Sequence, residues 1–255
     1  MSRSVAGVPR GPAGRIRAVI ADVDGTLTDR SRRLDPEAID VVRALEDRGV
    51  PIILATGNVL PIALALYRSL GLSGPIIAEN GGLVYSRIDG VDRVRRRCDR
   101  KIALRALRRL RSEGVMATPL FTDRWRETEV AIEPTASLRR IRAALRGLDL
   151  LVESTGYAIH LMDPRGGKLA ALSEALPEAG LSLAECVALG DGDNDASMLR
   201  AAGTSVSFPS GSPRARRAAR LVTRRGYAAG FVEGIIRVGL LPSAEHRTVG
   251  RNARG

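Results

Sequence analysis

The chain has 255 residues, with 40 Lys and Arg against 28 Asp and Glu, a formal net charge of +12 and a pI near 11.0. Its 44% hydrophobic content allows a sizeable core, which excludes wholesale disorder, and two cysteines, Cys98 and Cys186, exclude a disulfide framework. No apolar run approaches the roughly 20 residues of a membrane span and Met1 to Gly14 lacks the apolar stretch of a signal peptide, so a soluble cytoplasmic protein is expected.

The first predicted element is a strand, Arg17 to Asp22, an apolar run of the kind buried on both faces of a parallel sheet. A helix follows, with Asp35 as N-cap, Pro36 at its first position, Ile39, Val42 and Leu45 on one face, and Gly49 as its stop. Val50 to Ala55 reads as a second strand. A helix opening near Asn58 and ending at Gly71 comes next, then a strand over Pro75 to Ala78. This βαβαβ start predicts a doubly wound α/β core.

The rhythm then breaks. Glu79-Asn80-Gly81-Gly82 reads as a turn and Leu83 to Tyr85 as part of a hairpin. Beyond it the predicted order is a helix over Asp99 to Ser112, a strand over Glu129 to Glu133, a helix over Ser137 to Leu148 and a strand over Tyr157 to Met162. The pattern predicts an inserted α+β unit over 85–163, dividing a discontinuous core of 15–84 and 164–240, with flexible extensions at 1–14 and 241–255. After Lys168 the opening rhythm returns: a helix to Ala179, a strand over Cys186 to Leu189, a helix over Ala196 to Ala202, a strand over Thr204 to Phe208, and a closing helix over Tyr227 to Val238.

Four motifs carry chemistry. Asp22-Val23-Asp24-Gly25-Thr26-Leu27-Thr28 ends the first strand, where ligands of open α/β sheets bind. Two carboxylates held this close call for a cation, Mg²⁺ being the hard, oxygen-seeking candidate, while an Asx-rich turn is the other reading. Gly190-Asp191-Gly192-Asp193-Asn194-Asp195 also follows a strand. Met198 stands where an EF-hand loop needs its bidentate Glu, so Ca²⁺ sensing is disfavoured; Asp191 and Asp195 can close on the same ion as Asp22, and Asp193 is given no role. Thr56 and Gly57 end the second strand and open a helix, which offers a hydroxyl and free backbone N–H groups to an anion, or a plain N-cap. Lys168 is one of only two lysines, the other being Lys101, in a chain whose remaining basic residues are Arg; a compact ammonium suits a phosphoryl oxygen or a gap between carboxylates better than a guanidinium fork does.

In this order and spacing the four motifs resemble those of the haloacid dehalogenase (HAD) superfamily of phosphatases, over about residues 16 to 240. The α+β insert is similar to the cap of the Cof-like sugar-phosphatase branch. Asp22 to Arg30, Thr56 to Pro61 and Ala78 to Gly82 most resemble the archaeal-type phosphoglycolate phosphatases. The resemblance implies a Mg²⁺-dependent phosphomonoesterase with Asp22 as nucleophile and Asp24 as general acid/base. It also implies Mg²⁺ held by Asp22, the Asp24 backbone carbonyl, Asp191 and Asp195, and a phosphoryl group bound by Thr56, Gly57 and Lys168 with help from Asn194. The implied partner is a small phosphorylated metabolite, 2-phosphoglycolate first, with other sugar phosphates or a phosphomannomutase-like reaction as alternatives.

The Arg excess leaves one reading from another class, an inactive nucleic-acid-binding protein. It is concentrated in two blocks, net +9 over 93–111 and +6 over 214–225, leaving −3 for the rest. Only eight aromatic residues are available for base stacking, and there is no zinc-finger or RNP-like motif. A solvated Arg face, or a field that steers small anions, is the favoured account of the blocks.

Overall fold

The computed structural model describes residues 16–155 and 157–242. Its centre is an eight-stranded sheet built around β1 (Ala18–Ala21), with β2 (Ile52–Ala55) on one side and β9 (Cys186–Leu189) on the other, all parallel. Beyond β9 lie β10 (Thr204–Ser207) and β11 (Leu221–Val222). Beyond β2 lie β3 (Ile76–Ala78) and the antiparallel hairpin β4 (Leu83–Ile88) and β5 (Val91–Arg96).

The apolar runs form central strands because both faces are covered. Val19 and Ala21 face a cluster shared with α1 (Pro36–Glu46), α2 (Leu60–Leu70) and α8 (Tyr227–Arg237). Ala18 and Ile20 face the other cluster, with α5 (Lys168–Glu178), α6 (Ala196–Ala201) and α7 (Pro213–Ala218). Each fully buried Ile or Leu in these layers contributes about 1.5–3 kcal/mol of transfer free energy. Asp35 caps α1 as expected, its carboxylate accepting from the amides of Glu37 and Ala38.

A second sheet, β6 (Glu129–Ile132), β8 (Ile159–Met162) and β7 (Leu151–Ser154), is antiparallel throughout. One face packs on α3 (Lys101–Ser112) and α4 (Leu138–Ala144) around Ala103, Leu107, Leu110, Ile141, Ile159 and Leu161. This is the cap. The hairpin that the sequence reading split at 85 is hydrogen-bonded into the large sheet through Arg96, because β4 pairs with β3 along its buried half.

Two further differences have local causes. The helix expected to open at Asn58 begins at Leu60 with Val59 in the N-cap position, leaving the Asn58 side chain free for another use. At the C-terminal end, Leu241 is buried against the core rather than extended from it. The expected extension 1–14, and the residues of 241–255 after Pro242, lie outside the described residues.

Candidate active site

The sheet order explains how distant motifs meet. Since β1 lies between β2 and β9, the segments leaving their carboxyl ends converge: Asp22 to Thr28, Thr56 to Asn58, and Gly190 to Asp195. Asp22, Asp191 and Asp195 offer carboxylate oxygens that all lie within 4.8 Å of one another. Lys168 enters from the first residue of α5, fully buried, with Nζ 2.6 Å from Asp22 Oδ1 and 2.6 Å from Asp195 Oδ1.

The electrostatics are unbalanced. One ammonium, paired with Asp22 and Asp195, stands among three carboxylates, so acidic groups outnumber the cation that can neutralise them. Burial pushes the Asp22 carboxyl well up, Asp195 and Asp191 add to this, and Lys168 opposes it. Burial and the Asp195 charge raise Asp191 to about 7. Burial alone would lower Lys168, but Asp195 and Asp22 outweigh it and hold the ammonium protonated. A buried oxygen cluster with this surplus fits a hard divalent cation.

The backbone is shaped around the cluster. Gly25 has φ +82, and a Cβ there would stand 2.3 Å from Asp191 Oδ2, so only glycine lets the Asp22–Thr28 loop approach the acidic turn. Asp195 Oδ2 accepts from the amides of Asp191, at 3.0 Å, and Gly192, at 2.8 Å, which locks that turn. Asp24 sits apart from the three, its Oδ2 accepting from Asn58 Nδ2 at 2.7 Å. The two strand-end aspartates therefore occupy different environments: Asp22 against a cation, Asp24 against a neutral amide.

A cleft of about 460 Å³ opens over these residues, walled on the core side by Asp22, Asp24, Gly57, Asn58, Asp191 and Asn194 and on the cap side by Arg126, Tyr157 and His160. Thr56 is buried beneath, its Oγ1 accepting from the Asn58 amide. Lys168 lies under the carboxylates rather than on the cleft wall. All the singled-out positions thus meet in one region, in two layers.

Of the polar layer joining cap to core, sequence reasoning missed Glu129 and the part played by Asn80. Asn80, read as a turn residue within the Ala78–Gly82 segment and given no role in the site, has a left-handed backbone (φ 51); its Oδ1 accepts from Asn194 Nδ2 at 2.9 Å and its Nδ2 donates to Glu129 Oε2 at 3.1 Å. Glu129 is fully buried and pairs with Arg126 and with His160 Nδ1, the latter at 2.9 Å. Burial would raise the Glu129 carboxyl, but His160 and Arg126 more than reverse this and leave it below the usual glutamate range. Arg32, on the loop after Thr28, stacks 3.6 Å over the Tyr157 ring across the cleft mouth.

This architecture, a doubly wound sheet with carboxylates at its central strand ends and a separate cap over them, defines a class of hydrolytic enzyme. The sequence model of the haloacid dehalogenase-like hydrolases matches residues 19–124 and 130–235. The chain belongs to that family, and is a phosphatase of it. It is 36% identical over 222 residues to a phosphoglycolate phosphatase of Methanothermobacter thermautotrophicus, spanning 87% of this chain and 98% of that one. It is also 36% identical over 226 residues to a phosphoglycolate phosphatase of Methanoculleus marisnigri, spanning 86% and 95%. Among solved structures, Thermoplasma acidophilum 0175 superposes with a TM-score of 0.80 at 25% identity, covering 89% of this chain and all of that one.

Proposed function

We propose that the enzyme hydrolyses 2-phosphoglycolate to glycolate and phosphate, with Asp22 as nucleophile, Asp24 as general acid/base and Mg²⁺ held by Asp22, Asp191, Asp195 and the Asp24 carbonyl. The observation that carries this reading is the contrast between the two strand-end carboxylates: Asp22 is clamped at the centre of the cation-seeking cluster and Asp24 is turned away onto Asn58. The names of the relatives support the substrate.

When bound, the cation offsets the repulsion between an anionic carboxylate and an anionic phosphoryl group. The chain's own residues do the rest. Lys168 fixes Asp22 through Oδ1 and leaves its other oxygen for in-line attack on phosphorus. The bond to the leaving oxygen breaks as a bond from Asp22 forms, and Asp24 delivers its proton to the departing alkoxide. Asp24 then takes a proton from the water that attacks the aspartyl-phosphate, releasing phosphate and restoring Asp22. The Gly57 amide, the Thr56 hydroxyl and Asn194 supply hydrogen bonds to phosphoryl oxygens, and Lys168 supplies its charge from below.

A panel of phosphomonoesters assayed with Mg²⁺ tests this. Preferred turnover of 2-phosphoglycolate is expected, lost on chelation and in Asp22→Asn. A sugar phosphate turned over faster overturns the substrate, and full activity of Asp22→Asn overturns the mechanism.

A further inference from the structure

Three basic side chains line the cleft, Arg32, Arg126 and His160, and only Arg126 is a buried guanidinium, its side chain 3% exposed. Such a group is costly to bury unless paired, and here Glu129 is its close partner, with Asp123 at the outer limit of an ion pair. Nη1 is spent on Glu129 and on the carbonyl oxygen of Gly57, at 2.9 Å. Nε is buried with no hydrogen bond, 4.0 Å from Asp123 Oδ1. Nη2 has no hydrogen-bond partner among the described residues. A rigidly held guanidinium therefore retains donor capacity at the wall of a cleft whose chemistry is anionic.

Its position says which anion. Arg126 reaches the Thr56–Asn58 segment from the cap and grips it by a carbonyl oxygen, not by the amide groups suited to a phosphoryl group. Arg126 and Gly57 both line the cleft, so the guanidinium stands where the cap wall meets the segment suited to a phosphoryl group. Glu129 is itself fixed by His160 and Asn80, and Arg100 fixes the same loop by donating to the carbonyls of Asp123, Arg126 and Glu129. Planar, preorganised and adjacent, the guanidinium matches a carboxylate a bond or two from the ester oxygen.

We propose that Arg126 is the specificity-determining residue that binds the carboxylate of the leaving group, restricting the enzyme to phosphate esters of short 2-hydroxy acids, with Glu129 as its positioning residue. This rests on the phosphatase reading above and narrows its substrate class.

The test compares kcat/KM for 2-phosphoglycolate with that for ethyl phosphate, which replaces the carboxylate by a methyl group. In Arg126→Met the ratio of the two falls about 10- to 100-fold, the range of one charge-assisted hydrogen bond, chiefly through KM, and Arg126→Lys recovers part of it. If Arg126 instead served the phosphoryl group or the fold, both substrates would lose equally and the ratio would hold, which overturns the proposal. Collapse of the ratio in Arg32→Gln but not in Arg126→Met overturns it too. Should Arg126→Met leave Glu129 unpaired and the protein unfolded, the double variant Arg126→Met/Glu129→Gln removes both charges and must show the same collapse. The two readings fail differently. A wild-type preference for phospholactate over phosphoglycolate, lost in Arg126→Met, removes the glycolate assignment and keeps Arg126. Hydrolysis with no preference for carboxylate removes Arg126 and keeps the phosphatase.

Discussion

Lys168 illustrates how little margin the site has. Its side chain is fully buried and its ammonium bridges Asp22 and Asp195, so removing it strands two buried carboxylates. Lys168→Met is expected to destabilise the metal-free protein by about 3–5 kcal/mol, the usual result of breaking a buried ion pair from one side. Urea denaturation measures this, and saturating Mg²⁺ should restore part of the loss, because a cation that binds only the folded state stabilises it. Gly25 makes a separate prediction. Alanine there meets both the positive φ and the Asp191 carboxylate, so Gly25→Ala should weaken Mg²⁺ binding, read by calorimetric titration, more than it alters the fold by circular dichroism.

Elements differ in how far the sequence exposes them, and the reason is burial. β1, β2 and β9 are covered on both faces and so read as unbroken apolar runs, and a carboxylate or hydroxyl at the end of such a run stands out. β5, Val-Asp-Arg-Val-Arg-Arg, is a largely exposed edge strand held by its hairpin partner, and β7 is half-buried, so neither carries a period to detect. How Asn80, Arg126, Glu129 and His160 join is not legible for another reason: they meet across two sheets, and no local spacing tells which polar side chain turns inward. The connections between cap and core can be tested as elements. Glu79, with φ 47, accepts from Thr128 Oγ1 at 2.6 Å and from the amides of Glu127 and Thr128. Glu79→Ala should speed amide exchange at Glu127 and Thr128 and leave β1 and β9 protected. On the return connection, hydrogen bonds from Arg165 overcome burial and hold the Asp163 carboxyl well below its usual range, with the Asp99 amide adding to them. A carboxyl depressed in the folded state stabilises above its unfolded value, near 3.9, and loses that contribution as the pH falls below it. Asp163→Asn should therefore lower the melting temperature at neutral pH and flatten its fall below about pH 4, so that variant and wild type converge in acid.

At the scale of the whole molecule the charge excess divides by location. In the first block Arg95, Arg96, Arg97 and Arg100 are paired with Glu178, Glu127, Glu174 and Asp123, whereas Arg105, Arg108 and Arg111 on α3 make no ion pair with the described residues. Those three stand behind the cap sheet, since Ile159 and Leu161 face α3 and the intervening His160 faces the cleft. A helix packed on a sheet adds on the order of 10 Å to the path, beyond the roughly 8 Å Debye length at physiological salt, so their field at the phosphoryl position is screened. The second block is better placed. α7 carries Arg214, Arg216 and Arg217 directly after Ser212, whose amide donates to the Asp191 carbonyl at 2.8 Å, and the helix packs against the acidic turn. These charges oppose the negative surplus at the mouth of the site and attract a multiply charged substrate. Replacing all three α7 arginines by Gln should lower kcat/KM several-fold at low ionic strength, with the difference vanishing as salt is raised and kcat held constant. The same replacement of Arg105, Arg108 and Arg111 should change kcat/KM little at any salt. Equal losses from the two triple variants would mean that net charge, rather than its position beside the acidic turn, draws the substrate in.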